Sequence, residues 1–288
     1  MISVVIPACN EGTVIKRALN GITNGARDGE LDVIVVCNGC TDDTAEQARQ
    51  IGYPIRVVET LAKSKTYALN LGDAAAGATF PRVYMDADVV LNVEGLRALS
   101  NRLDRGDILA VAPSGRVVVD GCGLLARWYY DIAWLLPSAR DGFGASGVYA
   151  LSREGRQRFD IFPNIIADDM YVQSHFKLHE CETVVSAAST VFRPAKLRDI
   201  LRIDIRVKRG NRQVAHAFPY LSRDRRRNHR TILALFGRLS LWPKLVVYCG
   251  VVVIAEIAAR WPAGRSGYRW LRDESTRMHR PNRLSTPS

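Results

Sequence analysis

Two aspartates stand two positions apart at the end of an apolar stretch, in the segment RVYMDAD. Asp86 and Asp88 could bind one hard divalent cation together. Mg²⁺ takes oxygen ligands and commonly uses one or two protein carboxylates together with substrate phosphates. Closely spaced aspartates also form turns closed by local hydrogen bonds. This motif alone therefore leaves both a metal site and a turn open.

A second pair of acids, Asp168 and Asp169, stands where the segment ADDMYVQSHFK predicts the start of a helix. Acids in a first turn stabilise a helix through its dipole, which is the structural interpretation. Beside a metal and a diphosphate, two adjacent carboxyls can also raise one pKa and leave a base able to deprotonate a hydroxyl. The glycines of the preceding GFGASGVYALS permit close approach of a substrate, and this segment would form one wall of the site.

Cys37 and Cys40 form a C-x-x-C motif in VVCNGCTDDT. A reactive thiolate is favoured by positive charge or a helix N-terminus, whereas Asp42 and Asp43 follow directly here and would oppose it. A structural zinc site needs a second ligand pair, and none stands at a suitable spacing. We therefore predict two packed or loop cysteines. The scattered remaining cysteines indicate reduced thiols in a cytosolic protein.

The elements that must position these residues alternate through the first 107 residues. Apolar runs predict strands at SVVIPA, LDVIVV, PIRVVE and RVYM, and helical spacing predicts helices between them, with Thr41 as one N-cap. This alternation predicts an α/β fold with a mostly parallel sheet flanked by helices. Ligands of such sheets bind beyond the carboxyl ends of the strands, where Asn10, Asn38 and Asp86 stand.

Charge is unevenly distributed along the chain. Residues 1–192 hold 18 Lys and Arg against 23 Asp and Glu, a net charge of −5, whereas residues 193–288 have a net charge of +16. A basic block on an otherwise balanced chain indicates an anionic partner such as a membrane surface, a nucleic acid or a phosphorylated substrate.

Five motifs occur in the order SVVIPACNE, VVCNGCTDDT, AKSKTYALNLG, VYMDADVVL and IADDMYVQ. In this order and spacing, the chain resembles family 2 glycosyltransferases of the GT-A fold over about residues 2–175. The resemblance implies transfer of a sugar from a nucleotide-diphosphate sugar to a hydroxyl acceptor, with inversion at the anomeric carbon. It also implies Mg²⁺ or Mn²⁺ as the cofactor.

The resemblance also implies roles for individual residues. It implies that Asp88, with Asp86, binds the metal and that Asp169 is the catalytic base beside Asp168. The nucleotide-sugar contacts that it implies are Pro7, Ala8, Asn10, Glu11, Asn38, Asp42, Lys65 and Asp86. Arg209 and Arg212 are further candidates for binding the diphosphate, with a solvated or lipid-facing role as the alternative.

Two departures from the family pattern limit what the resemblance implies. Asn38 stands where the family usually has an aspartate that contacts the base or its ribose, which leaves the nucleotide open. The segment QVAHAF replaces the Q-x-x-R-W of processive relatives, so we do not predict polymer extrusion.

The basic C-terminal part predicts attachment to a membrane surface. We predict a catalytic domain over residues 1–195, with a nucleotide half 1–107 and an acceptor half 108–195. A basic, partly apolar extension follows over 196–288, with a disordered tail from about 278. The apolar run 245–255 would span about 16 Å as a helix, too short for a hydrocarbon core of roughly 30 Å. The residues that flank this run are Arg238, Trp242, Arg260 and Trp261.

Tryptophan and arginine suit a membrane interface, although packing of this run on the catalytic domain remains the alternative. No basic leader precedes the first predicted strand, which starts at residue 2. We therefore expect a cytoplasmic protein, peripheral to the inner face of the cell membrane, acting on a lipid-linked or polysaccharide precursor.

Two other functions fit parts of the sequence. A nucleotidyltransferase would use a similar sheet, but it usually has a Gly-rich phosphate loop after the first strand, and PACNEGT lacks one. A nucleic-acid-binding protein would use the basic C-terminal third, but that function predicts aromatic and basic residues interleaved on a recognisable module, which is not seen. We expect no nucleic-acid partner.

Overall fold

The computed structural model describes residues 1–119, 121–137, 143, 146–221 and 227–261. The predicted disordered tail lies outside these residues, as do Gly142 and Gly144 of the glycine-rich segment. The strands are β1 (Ile2–Ala8), β2 (Leu31–Asn38), β3 (Ile55–Thr60), β4 (Arg82–Met85), β5 (Ala110–Val118), β6 (Val148–Leu151) and β7 (Cys181–Phe192). The helices are α1 (Ile15–Thr23), α2 (Thr44–Arg49), α3 (Lys65–Ala76), α4 (Val93–Leu103), α5 (Leu124–Ala133), α6 (Arg153–Arg156), α7 (Asp168–Gln173), α8 (Leu197–Ala217), α9 (Arg227–Leu235) and α10 (Trp242–Ala258).

The strands form one seven-stranded sheet in the order β3-β2-β1-β4-β6-β5-β7. β1 pairs in parallel with β2 and β4, β2 with β3, and β5 with β7. β6 is antiparallel to both neighbours, β4 and β5. The predicted α/β fold with a mostly parallel sheet is therefore confirmed. Because β6 alone is reversed, its beginning lies at the same edge as the carboxyl ends of β1, β2, β4 and β7.

Both faces of the sheet are covered, which explains why the strands are continuous apolar runs. Successive residues of a strand point to opposite faces. Val4 and Ile6 accordingly pack with α1 and α4, whereas Val5 packs with α3 and an aromatic group from later in the chain. That aromatic group includes Tyr84, Tyr149, Phe162 and Tyr171.

Helix α3 is fixed at its start and packed closely at its middle. The Ser64 side chain accepts a hydrogen bond from the Tyr67 amide, which caps the first turn. Gly72 lies against β1, where a Cβ atom would come within 2.3 Å of a Val5 methyl carbon. This close approach fixes the position of Lys65, the first residue of α3, relative to the sheet.

The prediction of Thr41 as an N-cap was wrong. Helix α2 begins at Thr44 and its N-cap position is Asp43. The Thr41 hydroxyl instead accepts a hydrogen bond from the Asn10 side-chain amide, at 3.0 Å. A contact between two loops has replaced a local cap.

Helices α5, α8 and α10 pack together around buried Ala126, Tyr129, Ile200 and Val251. By length and composition, the described segment Leu239–Ala258 is the one helix that could cross a membrane, with a mean hydropathy of 1.8. Only 17% of its most apolar window is buried.

Candidate active site

Lys65 joins two acidic motifs that lie far apart in the sequence. Its ammonium nitrogen is 2.8 Å from an Asp86 carboxylate oxygen and 3.1 Å from an Asp168 carboxylate oxygen. Burial opposes the charge of Lys65, but the charges of Asp168 and Asp86 overcome this and raise its pKa. The lysine, the D-x-D motif and the acidic pair therefore form one site at the carboxyl edge of the sheet.

Asp168 and Asp169 occupy different environments at the start of α7. Asp168 is only 4% exposed and pairs with Lys65. Asp169 is half-buried, takes part in no ion pair among the described residues, and accepts a hydrogen bond from the Met170 amide at 2.7 Å. Burial and the charge of Asp168 raise the pKa of Asp169 to about 6. Asp169 is thus the carboxyl suited to exchange a proton near neutral pH.

Asp86 and Asp88 follow β4 and have the donor set of a hard-cation site. Burial and the charge of Asp86 raise the pKa of Asp88, against the smaller opposing effects of Arg193 and Lys65. A pair of close like charges is relieved by a bound cation. Among the described residues no cluster of three or more His, Cys, Asp or Glu side chains could hold a metal ion. Mg²⁺ is nevertheless commonly bound by two carboxylates together with the diphosphate oxygens of a substrate. Asp86 and Asp88 therefore fit a metal ion whose remaining ligands come from the substrate.

The beginning of β6 closes the site on the other side of Asp86. The Asp86 amide donates to the Gly147 carbonyl at 2.9 Å. Gly147 has a positive φ of 63°, and a Cβ there would lie 2.6 Å from a Val89 methyl carbon and 3.3 Å from an Asp86 carboxylate oxygen. Glycine is therefore required at this position by both conformation and space.

The loops after β1 and β2 are joined to each other. Asn10 has a left-handed φ of 51°. Its side-chain amide donates to the Thr41 hydroxyl at 3.0 Å, and its side-chain oxygen accepts from the Thr41 backbone amide at 2.7 Å. The Asp42 carboxylate accepts from the Gly12 amide at 3.1 Å and also binds Thr44. These hydrogen bonds hold the two loops together at the place where a nucleotide is predicted to bind.

The remaining residues predicted to bind the nucleotide lie in or beside these loops. Pro7 and Ala8 are buried within β1, and Asn38 is 5% exposed at the end of β2. The Glu11 amide donates to the Thr44 hydroxyl at 2.8 Å. The contacts of these residues with a nucleotide remain predictions.

Of the two C-x-x-C cysteines, Cys37 lies in β2 and Cys40 lies in the loop that follows β2. All six cysteines are free thiols. Hydrogen bonds from the Cys37 and Cys9 thiols lower the pKa of Cys40, and the Asn10 amide lies 3.4 Å from the Cys40 sulfur. The Cys40 thiol itself donates to the Ala8 carbonyl at 3.4 Å, and Cys37 is buried, so both cysteines are packed within the structure.

Arg209 and Arg212 are directed towards α10. Arg212 forms an ion pair with Glu256, and Arg209 donates to the carbonyls of Ala258 and Trp261 at 3.2 and 3.4 Å. Neither arginine contacts the lysine–aspartate site in the described structure. Their prediction as diphosphate ligands gains no support from these contacts.

Arg193 was missed by the sequence analysis. It directly follows β7, and its positive charge acts on Asp88. The register explains this proximity: Val90 and Thr190 form a bridge with hydrogen bonds of 3.0 and 2.7 Å, which ties the segment after Asp88 to β7. The rule that polar residues at strand ends form the site would have identified Arg193, had the orientation of β7 been known.

Asn70 was also missed, although it stands in the A-L-N motif of α3. Its side-chain amide donates to the Phe162 carbonyl at 2.9 Å and its side-chain oxygen accepts from the Phe162 amide at 2.8 Å. Nearby, the Asp73 carboxylate binds Arg156 at 2.7 Å. Helix α3 thereby holds the segment that leads to Asp168, in addition to supplying Lys65.

Comparison with known structures gives proteins of the same fold. The chain matches a mannosyltransferase from Pyrobaculum calidifontis in complex with GDP-Man and Mn²⁺, with a TM-score of 0.59, 19% identity and coverage of 89% of this chain and 75% of that one. It also matches glucosyl-3-phosphoglycerate synthase from Mycobacterium tuberculosis in complex with Mn²⁺, UDP-Glc and phosphoglyceric acid. That match has a TM-score of 0.55, 25% identity and coverage of 75% of this chain and 79% of that one.

Comparison with sequences identifies the family. No curated protein sequence matches the chain significantly. The model of glycosyl transferase family 2 matches residues 3–143, the part that supplies Lys65 and both aspartates of the D-x-D motif. Residues 3–143 form a glycosyl transferase family 2 region, and the chain has the GT-A fold.

Proposed function

We propose that this protein transfers a sugar from a nucleotide-diphosphate sugar to an acceptor hydroxyl, with a divalent metal and with inversion at the anomeric carbon. The observation that carries the proposal is the contact of Lys65 with both Asp86 and Asp168. It unites the predicted donor side and the predicted base within a chain that contains a glycosyl transferase family 2 region. The solved relatives in complex with Mn²⁺ and a nucleotide sugar support the same assignment.

On the donor side, the loops after β1 and β2 would hold the nucleoside, and Asp88 with Asp86 would hold Mg²⁺ or Mn²⁺. The metal, when bound, neutralises charge that develops on the departing diphosphate. Lys65 lies beside Asp86 and adds a positive charge at the same place. We propose that Arg193, whose positive charge acts on Asp88, fills the diphosphate-binding role first considered for Arg209 and Arg212.

On the acceptor side, Asp169 would accept the proton of the attacking hydroxyl. Its pKa of about 6 leaves it ionised at neutral pH yet more basic than an ordinary aspartate. Asp168 would orient and tune it, because its own carboxylate is held by Lys65. The start of β6 packs against Asp86 at Gly147 and would form a wall of the acceptor side. Attack from this side, opposite the departing diphosphate, would invert the anomeric centre.

We further propose that the acceptor is lipid-linked or a polysaccharide precursor and that the protein works at a membrane surface. The charge distribution supports this part, since residues 193–288 carry a net charge of +16. The exposed apolar residues of α10 support it as well.

The donor side is tested by thermal shift with a panel of nucleoside diphosphates and nucleotide sugars, each with and without Mn²⁺. We expect one nucleotide class to stabilise the protein in a metal-dependent manner. Asp88→Asn should abolish the metal-dependent part while leaving the unliganded melting temperature near the parental value. Unchanged metal-dependent binding in Asp88→Asn would remove the metal assignment.

The chemistry is tested by identifying the product that is released. A glycosyltransferase releases a nucleoside diphosphate, whereas a nucleotidyltransferase forming a nucleotide sugar releases pyrophosphate. Pyrophosphate formation from a sugar phosphate and a nucleoside triphosphate would therefore overturn the proposal. NMR of the new anomeric linkage, compared with that of the donor, tests inversion.

A further inference from the structure

Helix α10 has an apolar face that the rest of the described protein leaves uncovered. Its members recur at i, i+4, i+11 and i+15, positions that share one side of a helix, with Ile254 beside them. This apolar face consists of Trp242 (50% exposed), Val246 (71%), Val253 (54%), Ile254 (52%) and Ile257 (53%). Isolated exposed apolar residues need no explanation, but a continuous row along one helix indicates a surface that binds something apolar.

The other faces of α10 are held by the protein near both ends of the helix. Lys244, in the first turn, forms an ion pair of 2.6 Å with Asp131 of α5. Glu256, in the last turn, pairs with Lys208 at 3.2 Å and with Arg212, both on α8. Leu245 and Val251 are buried between these ends. The two charged side chains of α10 therefore face its neighbours and leave the apolar face uninterrupted.

Apart from two acids held in ion pairs, the charged side chains of α5, α9 and α10 in the described structure are basic. Within the described residues 121–137 and 227–261 the acids are Asp131 and Glu256, and both are neutralised by the ion pairs above. Exposed arginines stand near both ends of α10, at Arg238 and Arg260, and also at Arg230 in α9. A surface with apolar side chains along its middle and cations at its margins complements an anionic bilayer.

These contacts also decide how the helix would meet the bilayer. The segment Leu239–Ala258 is long and apolar enough to span a membrane. If α10 crossed the bilayer, its ion pairs from Glu256 to Lys208 and Arg212 would draw part of α8 into the membrane. This is unfavourable, because charged side chains are costly inside a bilayer. A helix that lies in the plane of the interface keeps all of these ion pairs.

We propose that the apolar face of α10 docks this protein onto anionic lipid, with the helix parallel to the membrane surface and not across it. The inference rests on the membrane part of the proposed function and makes it specific. It does not depend on the sugar-transfer chemistry. Flotation and donor binding are therefore measured separately, so that either can fail alone.

The test is flotation of the full chain with vesicles of phosphatidylcholine, with or without phosphatidylglycerol. We expect binding to the anionic vesicles that weakens with salt. Val246→Asp should reduce the partition at least about tenfold, since burial of one valine side chain is worth roughly that factor. The matched control is Val185→Asp, because Val185 is 82% exposed on β7, outside the apolar face. It introduces the same charge and should float like the parent.

Both variants should keep the parental melting temperature without ligand, which shows that they fold. Failure of the parent to float with anionic vesicles, or equal loss in both variants, would overturn the proposal. Retention of the parent in the membrane after alkaline carbonate extraction would show a spanning helix and overturn the in-plane orientation. A change in sedimentation of Val246→Asp without a change in flotation would assign the apolar face to a second copy of the chain instead.

Discussion

Replacement of Asp169 by asparagine tests the proposed base most directly. Asparagine keeps the shape of the side chain and can still accept the hydrogen bond from the Met170 amide, but it cannot take up the acceptor proton. Loss of a general base typically costs about 10²–10⁴-fold in rate. Donor binding should remain within a few-fold of the parental value, because Asp86, Asp88 and Lys65 are unchanged.

The pH dependence gives a second, independent magnitude. Burial and the charge of Asp168 raise the pKa of Asp169 to about 6. A base must be deprotonated to act, so activity is expected at pH 7 and is lost as the pH falls through about 6. At pH 5 about one-tenth of the Asp169 carboxyls would be ionised, whereas an aspartate with a pKa near 3.9 would be about nine-tenths ionised. The raised pKa therefore predicts a roughly tenfold loss of kcat/KM between pH 7 and pH 5.

The Asp168→Asn variant separates the two causes of the shift. It removes the like charge but leaves burial in place, so the acid limb of the profile should move to lower pH. The assay is release of nucleoside diphosphate across the pH range at saturating metal, together with donor Kd by calorimetry. An Asp169→Asn variant that transfers sugar at the parental rate would refute the assignment. Loss of activity in Asp168→Asn alone, with Asp169→Asn active, would show that the roles of the pair are reversed.

Three further predictions follow from contacts of the site. Lys65→Met leaves two carboxylates without their cation, and for a buried pair this loss destabilises the fold by about 3–5 kcal/mol. Because Lys65 is 21% exposed, we expect the lower end of that range, a fall of roughly 6–12 °C in the Tm measured by calorimetry. Arg193→Ala should weaken binding of a nucleoside diphosphate about 10- to 100-fold, since hydrogen bonds to charged groups are worth about 1.5–3 kcal/mol. The control, Arg209→Ala, should leave Kd within about threefold of the parental value, and equal effects of the two variants would refute the assignment of Arg193. Asn70→Ala should lower the Tm, because two backbone groups of buried Phe162 lose their hydrogen-bond partners, at a cost of about 1–3 kcal/mol each. The variant should also lower kcat more than donor affinity, and kinetics like those of the parent would show that Asn70 is only structural.

The sequence alone determined the class of fold and predicted which polar residues lie together at one edge of the sheet. Continuous apolar runs alternating with helical spacing specify a sheet covered on both faces, because only such strands can bury every side chain. In a parallel sheet the carboxyl ends meet at one edge, so the order of the elements along the chain was enough to place the polar residues after β1, β2 and β4 together. Lys65 could be placed at the start of a helix beside them, since its A-L-N motif follows β3.

Tertiary structure decided how the later half of the chain completes that edge. β6 lies antiparallel between β4 and β5, and β7 pairs with β5, which brings Gly147 and Arg193 to the edge occupied by Asp86. Strand order and orientation depend on pairing between residues far apart in sequence, and local periodicity does not encode them. For this reason the sequence did not place Arg193 at this edge, and it could not show that Arg209 and Arg212, the candidates for the diphosphate, contact α10.

The chemical difference between Asp168 and Asp169 was likewise decided only by the tertiary structure. In the sequence they are equivalent neighbours at a helix start. The fold places the ammonium of Lys65 3.1 Å from Asp168 and leaves Asp169 half-buried beside that carboxylate. A pKa depends on burial and on charges within a few ångströms, and for this pair the decisive charge comes from a residue about one hundred positions earlier in the chain.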